Sequence, residues 1–172
     1  MSRILTDSEI GELVKKPKRL PKGWRSRLRL VQRADGAQKR RALELKENKD
    51  LFIINCRQSA LNPFDFSIIL LYRDEKGNKF RLLRCNGKHP SWHSNRWEKG
   101  QGLADYKFAP CFHIHRATQR CQEADMDIDG YAEPTGAYSN YDAALEHFVT
   151  ICGCIDPEPL GTTTPDLLGG AI

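Results

Sequence analysis

Four of the five histidines in the chain, His89, His93, His113 and His115, lie between positions 89 and 115, close to Arg84, Lys88, Arg96 and Arg116. An imidazole, with an ordinary pKa of about 6.5, gives and takes protons near neutral pH and is also a common metal ligand. Fixed positive charge beside several of them suits a reaction that builds up negative charge, as phosphate-ester cleavage does. On RNA that reaction needs no metal. One neutral imidazole takes the 2′-hydroxyl proton and a protonated one gives a proton to the departing 5′-oxygen. Arg84, Lys88 or Arg116 stabilises the phosphorane between them. Close imidazoles near arginines are expected to have pKa values pushed apart, as acid and base roles require. Trp92, with Trp97 and Tyr106 in the same segment, offers flat surfaces on which unpaired bases can stack.

A zinc site would draw on the same residues, with Cys111, His113 and His115 joined by His89 or His93 as nitrogen and sulfur ligands. Their spacing follows no strong zinc pattern, and Pro90 opposes a helix carrying His89 and His93 one turn apart. The reading therefore assigns the four histidines to metal-free catalysis, with no metal and no cofactor. The plainer alternative is a set of loop and surface histidines with structural hydrogen bonds. Asn95 either orients a phosphate or a histidine or caps the loop, and Asn86-Gly87 reads as a turn ending a strand. Asp127-Ile-Asp129-Gly130 resembles part of a calcium loop but lacks its terminal acid.

The elements that must position these groups follow from hydrophobic period. Cys111, His113 and His115 share parity, so on a strand they point to one face while Phe112 and Ile114 point to the other. His113 and His115 are then expected on a solvent-facing surface, ~6.5–7 Å apart. Phe64–Tyr72 is rich in β-branched and aromatic residues and reads as a strand, with 79–85 its antiparallel neighbour after a turn at 74–78. A long polar loop, 86–107, carries His89 and His93, and loops of that length are often functional. Arg27–Val31 alternates charged and apolar side chains, Asp35-Gly36 is a hairpin signal, and 40–45 and 51–55 read as further strands. Phe108–His115 is another. Helices are expected at 7–14, begun by a Thr6–Glu9 capping box, at 117–124, and after Ser139 with Gly153 as its stop. Residues 125–136 read as a loop.

All 27 Lys and Arg fall within the first 120 residues, whereas 121–172 hold only acidic charge. Such an excess attracts polyanions without reading sequence, and Arg27 and Arg29 join Arg84, Lys88, Arg96, Arg116 and Trp92 as expected nucleic-acid contacts. The start of the chain lacks a secretory pattern and no apolar run is long enough to span a bilayer, so a cytoplasmic protein with no membrane partner is expected. The six cysteines, irregularly spaced, are expected as free thiols. Three segments are expected: a helix and basic arm (1–24), one domain (25–153) and a flexible acidic tail (154–172). The fold class is α+β, a mostly antiparallel sheet of about five or six strands with two or three short helices.

The blocks Arg84-Cys-Asn-Gly-Lys-His89, Phe112-His-Ile-His-Arg-Ala-Thr118 and Asp129-Gly-Tyr-Ala-Glu-Pro-Thr135 resemble, in this order, those of a bacterial and phage family of unknown function. The likeness covers about residues 60–153 and implies a shared fold without an established activity. A fainter one is to TumE-type toxins of toxin–antitoxin systems, with Arg84, Asn86, His89 and His93 in comparable order. Their adjacent His-His and their His-Lys-His blocks are absent. That resemblance implies an RNA-directed growth inhibitor with an antitoxin partner. The function expected is thus a toxin-like, metal-independent endoribonuclease or related RNA-acting protein. The alternatives are a non-catalytic phage- or plasmid-encoded regulator that binds nucleic acid or a protein, and a zinc-binding module.

Overall fold

The computed structural model describes residues 3–32, 36–97 and 107–159. Along the chain run α1 (Asp7–Lys15), β1 (Lys18–Arg19), α2 (Trp24–Arg27), β2 (Val31–Gln32), β3 (Gln38–Glu47), β4 (Asp50–Ser59), β5 (Phe66–Arg73) and β6 (Lys79–Asn86). There follow β7 (His93–Ser94), β8 (Lys107–Phe108), β9 (His113–Arg116), α3 (Gln119–Glu123), a 3-10 turn (Asp127–Gly130), β10 (Ala132–Pro134), α4 (Tyr141–Ile151) and β11 (Cys154–Ile155). Seven strands form one sheet in the order β10-β9-β6-β5-β4-β3-β2, each neighbouring pair antiparallel. The α+β class is as the patterning predicts, but the sheet has seven strands and the described residues include four α-helices. The strand with no expected counterpart is β10, an edge piece of three residues too short to show a period of its own, while β2, of two residues, keeps only Val31 of the expected strand Arg27–Val31.

One sheet face is apolar. Leu43 and Leu45 of β3, Phe52, Ile54 and Cys56 of β4, Phe66, Ile68, Leu70 and Tyr72 of β5, Cys85 of β6 and Ile114 of β9 are all buried there. Against this face pack Ile10 and Val14 of α1, Trp24 and Leu28 around α2, and Tyr141, Ala144, Leu145, Phe148 and Val149 of α4. The capping box forms: Thr6 Oγ1 accepts from the Glu9 amide at 3.2 Å, and Glu9 accepts from the Thr6 amide at 2.8 Å. Helix α4 is capped by Asn140, which accepts from the Ala143 amide at 2.9 Å, one residue later than the expected Ser139.

The basic stretch after α1 is built into the body of the molecule. β1 pairs in parallel with β11, so the two ends of the described chain meet. Lys18 is fully buried and donates to the carbonyls of Leu13, Val14, Lys16 and Cys152 at 2.8–2.9 Å, so its charge is solvated by backbone dipoles. Gly153 ends α4 with φ +64, and a Cβ there would lie 2.4 Å from the Lys15 carbonyl oxygen. Arg27, the first residue of the expected strand Arg27–Val31, instead ends α2, where Trp24 and Leu28 both reach the core. Phe108–His115 is divided between β8 and β9, and residues 132–134, expected in a loop, form β10. All six cysteines are free thiols. Asp35, Tyr106 and the tail beyond residue 159 lie outside the described residues. Among the described residues no helix is long and apolar enough to cross a membrane.

Candidate functional site

The opposite sheet face is polar, and strand register arranges it in rows. Arg40, Arg57, Ser67, Asn86, His113 and Pro134 are cross-strand partners in one row. Ala42, Asn55, Ile69, Arg84, His115 and Ala132 form the next. A register shift in β6 opposite Leu70 and Leu71 adds Arg81 to this face. Three positions apart, Arg81 and Arg84 would face opposite sides of a regular strand, and the bulge brings them to the same one. Arg40, Ala42, Asn55, Arg57, Ser67, Ile69, Arg81, Arg84 and Asn86 of this face line a cleft of about 860 Å³, and His89 is the member of the histidine cluster that reaches its wall, beside Asp129.

Parity places His113 and His115 side by side as the alternation predicts, but neither faces solvent. They are 0% and 1% exposed, because the segment after β6 folds back over them. That segment leaves the sheet at Gly87, where a Cβ would lie 1.8 Å from the Phe64 carbonyl oxygen, so only glycine permits the approach. β7 pairs with β8, and His93 stacks on Phe108 at 5.2 Å. Asn95 is buried and clamps the loop to β10, accepting from the Ala132 amide at 2.8 Å and donating to its carbonyl at 2.6 Å. Asn95 is therefore a fastener, with both of these side-chain hydrogen bonds spent on Ala132.

The four rings meet. Ring centroids are 4.0 Å apart for His93 and His113, 4.7 Å for His89 and His93, and 5.0 Å for His115 to both His93 and His113. His89 Nε2 and His93 Nε2 are 2.9 Å apart. His113 Nδ1 lies 2.7 Å from the Cys111 carbonyl and His115 Nδ1 lies 3.1 Å from the Ile128 carbonyl. A carbonyl only accepts, so both Nδ1 atoms carry hydrogen, and in the neutral rings Nε2 is a lone pair. The Asn86 amide donates to His113 Nε2 at 3.1 Å. His115 Nε2 and Asn86 Oδ1 are buried without a partner.

Burial is the main cause of a common shift to low pKa. It holds His89 below the ordinary value, with Arg84 adding to the effect. Burial, with the charge of His89 and Arg84, takes His93 to about 4. Burial, with His93, His89 and Arg84 nearby, takes His113 to about 3, and burial with Arg84 foremost among the charges takes His115 to about 2. The expected separation into an acid and a base is therefore not found. All four move the same way, since each loses water and none gains a nearby carboxylate strong enough to offset it. One ring nitrogen from each of His89, His93 and His113 falls within 4.8 Å of the others, so these three could hold a metal ion. Cys111, expected as a sulfur ligand, precedes β9 and contributes its carbonyl oxygen to the site.

Arg84 sits at the cluster as expected, paired with Asp129 at 2.6 Å. Lys88 is exposed and lies 5.1 Å over the Phe112 ring. Trp92 is 62% exposed beneath the Lys107 ammonium, and Arg96 is exposed on the same loop. Arg116 has the opposite parity to the histidines and faces Glu133 at 3.9 Å. Arg27 and Arg29 lie on the helix-covered side, Arg29 beside Tyr141 and Glu146 of α4. These last three therefore leave the site. Sequence reading missed Arg40, Arg57 and Arg81, and took Asn86 for a turn. The available signal was Arg57, at an outward position of the otherwise apolar β4; Arg40 sits in a charged strand, and Arg81 reaches this face only through the bulge. No family model, curated protein or solved structure matches this chain.

Proposed function

We propose that this protein binds single-stranded RNA along the polar sheet face and cleaves it at the histidine cluster. The observation that carries the reading is the cleft itself: Arg40, Arg57, Arg81 and Arg84 line the same groove as His89. Arginine forks suit phosphate oxygens, and a row of them tracks a backbone without reading bases. Exposed Trp92 and Trp97 at the loop supply stacking surfaces.

The neutral imidazoles serve as bases. His89, at the cleft, takes the 2′-hydroxyl proton as that oxygen attacks phosphorus, and Arg84 stabilises the phosphorane. The imidazolium so formed returns the proton to the 5′-oxygen as the P–O5′ bond breaks, directly or across the His89–His93 contact. No resting acid is needed. The product carries a 2′,3′-cyclic phosphate. The fainter likeness to TumE-type toxins supports the same substrate class and suggests a cytoplasmic growth inhibitor shielded by an antitoxin. A cytoplasmic setting also suits six free thiols.

End-labelled RNA and DNA of one sequence, incubated with the full chain, test this reading. Cleavage of RNA alone, with a cyclic phosphate end, is expected, falling about 100-fold or more in Arg84→Ala. Cleavage of DNA as well would overturn the 2′-hydroxyl step. Salt-sensitive binding without cleavage would favour the non-catalytic regulator.

A further inference from the structure

We propose that His89, His93 and His113 hold one divalent transition-metal ion of the zinc, cobalt or nickel kind through their Nε2 atoms, next to the unpartnered Nε2 of His115. This inference goes beyond the RNA reading and stands without it. The three ligand nitrogens already lie within 4.8 Å of one another, and the His89 and His93 nitrogens are 2.9 Å apart. Around a tetrahedral ion with bonds of about 2.0–2.1 Å, nitrogens are separated by about 3.3–3.4 Å, so small ring rotations suffice.

Three further features make this a built site. First, His113 is oriented by its Nδ1–H bond to the Cys111 carbonyl, which leaves Nε2 as the ligand atom; the Asn86 amide that donates to that nitrogen at 3.1 Å must turn away as the ion enters. Carbonyls that fix the far ring nitrogen are the usual support of histidine metal ligands. Second, His115 Nε2 and Asn86 Oδ1 are buried with no partner. An ion carrying a water would meet both needs, since the water can donate to each. Third, the donor set is all imidazole. No carboxylate or thiolate belongs to it, which favours ions that prefer nitrogen and disfavours magnesium and calcium.

The site also has fixed positive charge already, with Arg84 beside it and with Asp129 and Asp65, each paired to an arginine, as the acids near it. A bound dication therefore makes the position an anion trap at the end of the arginine cleft. Three protein ligands leave a fourth position open to water, as in catalytic rather than structural zinc sites. With the ion in place, that water replaces His89 as the base in the RNA reaction.

The test uses full-length protein made without an affinity tag, stripped with chelator, and titrated with zinc chloride against a chromogenic competitor. One zinc per chain is expected. Cobalt substituted for zinc should give visible ligand-field bands without the near-ultraviolet charge-transfer band of a cobalt–thiolate bond. His89 and His93 are half-buried loop residues, so a His89→Ala, His93→Ala double variant should fold, as its thermal melt will show, yet bind zinc at least about 100-fold more weakly. Cys111→Ser and Cys154→Ser should bind as the parent does. A stoichiometry near zero, unchanged affinity in the double variant, or a thiolate band overturns the proposal. One zinc per chain with no RNA cleavage upholds this site and removes only the nuclease reading.

Discussion

At the residue scale, four imidazoles share one desolvated space, and this has a consequence for stability. Each has a folded pKa below its unfolded value of about 6.5, so between those values the unfolded chain binds more protons than the folded one. Stability from this source is complete above about pH 6.5 and is lost progressively below it, down to about pH 4 for His93, 3 for His113 and 2 for His115. The slope approaches about 1.4 kcal/mol per pH unit for each such histidine. Urea unfolding of chelator-treated protein at pH 7, 5.5 and 4.5 should show this decline, and a His93→Gln variant should show a shallower one. A flat profile would mean that the rings are hydrated. Asn86 has a separate role, since its side-chain amide donates to His113 and its backbone carbonyl accepts from the Tyr138 hydroxyl at 3.1 Å. This couples the cluster to the aromatic packing beneath the sheet.

At the scale of elements, the loop between β6 and β9 turns a strand-borne histidine pair into a cluster. Two features hold it. Gly87→Ala would drive a Cβ into the Phe64 carbonyl and the Phe66 ring. Because backbone cannot yield as a side chain does, a loss of about 1–3 kcal/mol is expected in denaturant unfolding. Asn95→Ala removes both hydrogen bonds to Ala132, leaving its buried amide and carbonyl unpaired, at a cost of about 1–3 kcal/mol. Both variants should bind zinc more weakly than the parent even where they remain folded, because His89 and His93 would no longer be held over His113. Retention of full zinc affinity in Asn95→Ala would show that the loop seats itself without the clamp.

At the scale of the whole molecule, the sheet divides the protein into an apolar side covered by helices and a basic side left open. Among the described acidic residues of the last third, Asp129 is the one that lines the cleft. Glu146 and Asp156 instead pair with Arg25 on the helix side at 2.7 and 2.8 Å. RNA affinity should therefore fall with salt, with a log–log slope of about −2 if three arginines each displace a counterion from a single strand. Arg57→Glu should weaken binding and flatten that slope, while Arg27→Glu and Arg29→Glu should leave both unchanged in the same filter-binding assay. If the latter pair weakens binding as much as Arg57→Glu, the polyanion lies on the helix side.

Apolar, β-branched and aromatic runs in β4 and β5 and the turn before β6 were enough to predict an antiparallel sheet, and parity in β9 placed His113 and His115 on one face. Backbone geometry makes that parity a local property, and local properties are legible in sequence. The position of Arg84 beside the histidines was legible too, from its place near the end of an apolar run. Three things were decided only by tertiary structure. Burial of the histidine pair depends on a loop returning over them, which no local pattern encodes. The arginine row depends on register between strands distant in sequence, and on a bulge that reverses the parity of Arg81 relative to Arg84. The common downward shift of four imidazoles depends on desolvation, and water is excluded only once loop, sheet and turn have closed around the same few ångströms.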